Sequence, residues 1–165
     1  MTKKRWLSLF VENEIGTLAR IAGLFSGKSY NLDSLTVGTT EDATVSRMTI
    51  GLTSDDRTFE QIKKQLNRSV EVIRVVDFTD VAIHSAELLY VKICGCSESD
   101  RAEIERLRLP FAAKILESDA DTVLLESVQT ERRNNDWIAS LQRRFPGRLE
   151  IVRGGSVAIE TIGGA

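Results

Sequence analysis

The feature that most constrains this chain is a hydrophobic period that switches between two and 3.6 several times within the first 78 residues. Trp6 to Glu12 puts Leu7, Leu9 and Val11 on alternate positions, the pattern of a half-buried strand. Thr17 to Lys28 then sets Leu18, Ile21, Ala22 and Phe25 at i, i+3, i+4 and i+7, one helical stripe, with Gly27 as its stop. Asn31 to Thr39, carrying Leu35 and Val37, reads as a second strand, and Ser46, Met48, Ile50 and Leu52 alternate as a third. Thr53-Ser54-Asp55-Asp56 is a helix-start signal, and Phe59, Ile62 and Leu66 supply the stripe behind it. A β-branched run, Val70 to Phe78, completes the order βαββαβ. That order predicts a four-stranded antiparallel sheet with two helices on one face, the ferredoxin-like plan.

The rest of the chain repeats the plan more loosely. Leu88 to Ile93 reads as a strand and Ser99 to Arg108 as a polar helix with Ile104 and Leu107 inside. Ala112 to Leu116 and Thr122 to Val128 form a hairpin around Asp119-Ala120-Asp121, a turn by its chemistry. Thr130 to Phe145 is a helix with Trp137, Ile138, Leu141 and Phe145 on one side, and Leu149 to Val152 is a strand after Pro146-Gly147. Ser156 to Ile159 reads as an extra edge strand. The expectation is an α+β protein of two tandem ferredoxin-like βαββαβ units, residues 1–80 and 81–165, joined through a linker near Thr79 to Glu87.

Composition closes off several classes of function. Up to Ala86 there are 11 basic and 11 acidic residues, and after it 11 and 13, so no basic half exists to neutralise phosphates. RNA-recognition modules share this topology, but they stack bases on aromatic residues of the third strand, and Val45 to Ile50 has none. No nucleic-acid partner is expected. The opening Met1-Thr2-Lys3-Lys4-Arg5 leads into an alternating segment rather than a signal-peptide core, and no stretch approaches 18 apolar residues, so no membrane span is expected. Cys94 and Cys96 lie too close to close a useful loop, and with a single histidine, His84 in the expected linker, they fall short of a tetrahedral metal site. They read as buried strand cysteines of a cytoplasmic protein. Asp55-Asp56 and Asp119/Asp121 are explained by capping and turn chemistry. No catalytic residues, metal ligands or bound cofactors are expected in this chain.

One segment offers more. Asn13-Glu14-Ile15-Gly16 joins the first strand to the first helix, and Gly16 stands at the helix entrance. Unpaired N–H groups and the positive helix end converge there, a seat for a carboxylate, and glycine lets a ligand approach without meeting a Cβ. Asn13, and Asn31 beyond the helix, bring amides that donate to a carboxylate or accept from an ammonium. Ile15, Leu18, Leu32 and Leu35 supply an aliphatic lining. These are the needs of a small branched amino acid, set against the plainer reading of an N-cap loop with turn asparagines.

The run from Val11 to Ile50, with E-N-x-x-G-x-L-x-R, then G-L-F, Y-N-L-x-S-L-T-V and S-R-M-T-I, resembles the regulatory, or small, subunit family of acetohydroxyacid synthase, also called acetolactate synthase. That family opens with an ACT domain, an amino-acid-sensing βαββαβ module. The resemblance implies a homodimer through ACT domains with valine bound between two copies, at the positions matching Asn13, Gly16 and Asn31. It implies a separate catalytic large subunit that carries thiamine diphosphate, Mg²⁺ and FAD, which this chain would activate and make sensitive to valine in branched-chain amino acid biosynthesis. Between Cys94 and Arg148 the resemblance is thin.

Overall fold

The computed structural model describes residues 1–27 and 30–163. The last residue of the expected first helix, Lys28, lies outside the described residues. The elements are β1 (Lys3–Glu12), α1 (Thr17–Ser26), β2 (Ser34–Thr39), β3 (Val45–Ser54), α2 (Asp56–Leu66) and β4 (Val72–Asp77), followed by β5 (Ile83–Ile93), α3 (Glu98–Arg108), β6 (Lys114–Ser118), β7 (Val123–Gln129), α4 (Glu131–Arg144) and β8 (Leu149–Glu160). The strand orders are β2-β3-β1-β4 and β6-β7-β5-β8, so the βαββαβ plan occurs twice, as the periodicity predicts.

In the first sheet Leu7, Leu9 and Val11 of β1 lie opposite Ile50, Met48 and Ser46 of β3. The apolar members of these pairs face the helices and are fully buried with Ile21 and Phe25 of α1 and Phe59, Ile62 and Leu66 of α2. The second sheet buries Leu89, Val91 and Ile93 with Val123 and Leu125, beneath Ile104, Trp137, Leu141 and Phe145. Each such side chain contributes about 1.5–3 kcal/mol by burial, so the two cores are separate sources of stability.

Several boundaries differ from the periodicity. β1 starts at Lys3 because its pairing with β3 continues to Lys3 opposite Ser54. β2 starts at Ser34, so Asn31 lies in the loop before it rather than in the strand. β6 begins at Lys114 because Ala112 takes a left-handed conformation, φ 50°, after a single 3-10 turn, Leu109–Phe111. Cys94 and Cys96 lie beyond the end of β5, flanking Gly95 at φ +66°; both are free, Cys94 exposed and only Cys96 buried. His84 sits in β5, not in a linker, and is exposed.

The chain divides into two compact units, Met1–His84 with Ser156–Ala165, and Ser85–Gly155. A cut near residue 80 misses two things. β5 already begins inside the expected linker, and the expected edge strand Ser156 to Ile159 is the second half of β8. That half belongs to the first unit because side chains of β2 and β3 hold the backbone of Ser156 and Ala158. No described helix is long and apolar enough to cross a membrane.

Candidate functional site

Helix capping separates α1 from the other three helices. Asp55 caps α2 by accepting from Thr58 N–H, Ser97 and Asp100 form a reciprocal capping box on α3, and Thr130 caps α4. Each of those helices also carries an acidic residue in its first turn. α1 has neither: no side chain caps it, its first turn holds no acid, and its N-cap is Gly16 at φ 91°, ψ −12°. The first N–H groups of a helix have no partner inside it. Thr17 N–H reaches back to Glu14 C=O at 3.3 Å, which leaves the next amides, of Leu18 and Ala19, facing outward under the positive end of the dipole. A Cβ built on Gly16 meets nothing within 4 Å, so the space over this end is open.

The loop before α1 is rigidly held. Asn13 N–H donates to Thr44 C=O at 2.8 Å, its Nδ2 donates to Ala43 C=O at 2.9 Å, and its Oδ1 accepts from Ser46 Oγ at 3.0 Å. Asn13 therefore fastens the β2–β3 turn to the α1 entrance. One N–H and one lone pair of its amide remain for a ligand. The turn is itself organised by Asp42, which accepts from Thr44 N–H and Oγ1 at 2.9 and 2.6 Å; these bonds from Thr44 hold its carboxyl below the usual range. On the other side Arg20 of α1 pairs with Glu71, whose backbone carbonyl accepts from Glu12 N–H. The Arg20 guanidinium holds the Glu71 carboxyl low.

The remaining expected residues divide in two. Ile15 projects fully into solvent beside Gly16, and Leu18 is half exposed. Leu32 and Leu35, by contrast, are partly buried against the core of the first unit, which leaves them less surface for a ligand than an open lining would have. Asn31 is exposed, and among the described residues its amide makes no hydrogen bond. Gly16 and Asn31 flank the two ends of α1, whose 10 residues span about 15 Å. One copy of the chain therefore does not bring these groups to one small ligand. The Asn13 bond to Ala43 escapes sequence reading because a backbone carbonyl 30 residues away leaves no mark in the residue types.

Two βαββαβ units with a rigid, uncapped glycine entrance to the first helix define an ACT-type module with a related second unit. Residues 7–74 match the family described as AHAS small subunit-like ACT domain, and 86–162 the family described as small subunit of acetolactate synthase. The acetolactate synthase small subunit of Aquifex aeolicus is 38% identical over 157 residues, covering 95% of this chain and 81% of that protein. Isozyme 3 small subunit of Escherichia coli is 36% identical over 156 residues, covering 94% of each. The crystal structure of the Thermotoga maritima acetolactate synthase small subunit superposes with a TM-score of 0.84 at 28% identity, over 98% of this chain and 99% of that one. The chain belongs to the acetolactate synthase small-subunit family, and the match over 86–162 extends that membership through the region where the sequence motifs are thin.

Proposed function

We propose that this chain is a cytoplasmic, non-catalytic regulatory subunit that activates an acetolactate synthase large subunit and confers feedback inhibition by valine. The observation that carries the effector site is the α1 entrance, the one α-helix start among the described residues with neither a side-chain cap nor an acid of its own. A ligand carboxylate supplies what the other helices take from Asp55, Ser97 and Thr130. In this reading the amides of Leu18 and Ala19 hold the carboxylate. Asn31 of a second copy, with the spare lone pair of Asn13, accepts from the ammonium, and Ile15, with what Leu32 and Leu35 leave exposed, touches the aliphatic side chain. Thiamine diphosphate, Mg²⁺ and FAD belong to the large subunit, and this chain binds no cofactor.

Homodimerisation through β2 is supported by its chemistry as an edge. Edge strands are normally blunted by charge, proline or bulges. β4 carries Arg74 and Asp77 and a shifted register, and β6 carries Lys114 and Glu117 with another shift. β2, Ser34-Leu35-Thr36-Val37-Gly38-Thr39, has no charge and an unbroken register with β3. An unprotected edge suits pairing with its own twin about a two-fold axis, the commonest symmetry of homo-oligomers, and it would carry the Asn31 loop of one copy toward its neighbour. The test is reconstitution with an acetolactate synthase large subunit. The chain should raise its activity, and valine should lower the activity of the complex but not that of the large subunit alone. An unchanged activity on mixing would refute the assignment.

A further inference from the structure

Within the first unit, the face of the sheet turned away from α1 and α2 carries an unusual set of bonds. Ser34 and Thr36, two apart on β2 and so on one face, capture both polar backbone groups of a single residue. Ser34 Oγ accepts from Ser156 N–H at 3.0 Å, and Thr36 Oγ1 donates to Ser156 C=O at 3.0 Å. Two residues on, Ala158 C=O accepts from Arg47 Nη2 of β3 at 3.1 Å, while Arg47 Nε donates to the buried Ser8 Oγ at 2.8 Å. The end of β8, a hydrogen-bonded neighbour of β5, is thus also held by side chains of the first unit, with Ser156 and Ala158 buried and Val157 and Ile159 turned outward.

Ser156 is only 1% exposed, so its N–H and C=O have no water to replace the two hydroxyls. Losing one bond strands a buried group, so the two bonds are made or lost together, while β5 continues to pair with β8 as its neighbour in the second sheet. Immediately before it lies Gly154-Gly155, with Gly155 at φ +77°, a left-handed backbone geometry that favours glycine within the continuous strand. The chain then continues directly into the first half of β8, which belongs to the second unit. At its other side, Ser34 follows Asn31 by three residues. Between them Asp33 is fixed to the sheet, its N–H donating to Gly51 C=O at 2.9 Å and its carboxylate accepting from Lys4 and Thr53, so a displacement at Asn31 reaches the hydroxyl pair through a short, held peptide.

We propose that Ser34 and Thr36 form a latch on Ser156 that carries effector inhibition from the site at Asn31 to the end of β8, without taking part in binding the effector. The proposal rests on the effector reading given above. Ser34 and Thr36 are positioning residues, because neither is placed against the ligand.

The experiment compares the full chain with its Ser34→Ala/Thr36→Val variant, each reconstituted with the catalytic large subunit. Three quantities are read: valine affinity by calorimetry on the isolated chain, the valine dependence of activity, and amide hydrogen exchange at Ser156. The variant should bind valine within about threefold of the original and activate normally, yet need over about tenfold more valine for the same inhibition, in the range of ordinary allosteric coupling. Its Ser156 amide should exchange faster. Faster exchange with an unchanged inhibition curve overturns the latch, as does a loss of valine binding parallel to the loss of inhibition. If the double variant does not fold, Thr36→Val alone removes one of the two bonds and is read in the same way. Failure of the unaltered chain to bind valine refutes the effector reading itself, and that result is separate because no variant enters it.

Discussion

Gly16→Asp places a carboxylate where the α1 entrance is proposed to hold one. The open space around Gly16 means the new side chain meets no neighbour, so the structural cost is confined to the backbone. A non-glycine residue in the left-handed region costs roughly 1–2 kcal/mol, and aspartate tolerates that region better than most. Partial capping of the free Leu18 and Ala19 amides offsets some of this, since a side-chain cap is worth about 0.5–2 kcal/mol. Folding should survive. The ligand carboxylate, however, then meets a like charge about 4 Å away, which costs about 1 kcal/mol in a water-like medium and about 4 kcal/mol near a protein surface. At tenfold per about 1.4 kcal/mol, valine affinity should fall by about fivefold to several hundredfold. Calorimetry with valine, alongside urea denaturation, separates the two effects, with Gly16→Ala as the control that has the strain without the charge. A folded Gly16→Asp protein that binds valine as tightly as the original would show that no ligand carboxylate sits at the α1 entrance.

Two further outcomes concern the second unit. Glu87, 3% exposed, accepts from Arg153 through both oxygens at 2.8 and 2.7 Å and from Asn134 at 3.0 Å. Arg153→Ala leaves that carboxylate buried with only Asn134, and should cost about 2–3 kcal/mol in urea denaturation, less than the roughly 3–5 of a fully buried pair; an unchanged midpoint would show that Glu87 gains nothing from Arg153. Asp100 is held well below the ordinary carboxylate range, first by Arg148 and then by Ser97 at the start of α3. A carboxyl depressed in the folded state stabilises fully above its unfolded pKa of about 3.9 and loses that contribution as pH falls toward the folded value. Asp100→Asn should therefore lower stability at pH 7 and flatten its decline below about pH 4, both read from denaturation midpoints against pH.

What could be read from residue types, and what could not, follows from where the information lies. Alternation and helical stripes record which side chains meet the core, so Leu7, Leu9 and Val11, or Phe59, Ile62 and Leu66, announce their elements. Asp55 announces its cap because the carboxylate itself makes the bond to Thr58. Gly16 is visible for the same local reason. The fastening of Asn13 to Ala43, and of Ser34 and Thr36 to Ser156, depends on backbone groups 30 and about 120 positions away, which any residue there would present. The continuity of β8 is likewise hidden, because Gly154-Gly155 reads as a break while the strand runs on through it. Leu32 and Leu35 are apolar on either reading, and only the fold shows how much of each is turned to the core.

In the proposed dimer each effector site is divided between two copies, since Gly16 and Asn31 lie at opposite ends of α1. Mixing Gly16→Asp chains with Asn31→Ala chains, after dissociation and reassociation, tests it most directly. Neither variant alone should bind valine with the original affinity. In a two-fold dimer every mixed pair regains one intact site, from the glycine of one chain and the asparagine of the other, so random mixing should restore about a quarter of the original valine-binding capacity. No recovery on mixing, with mixed dimers shown to form, would place each site within a single copy.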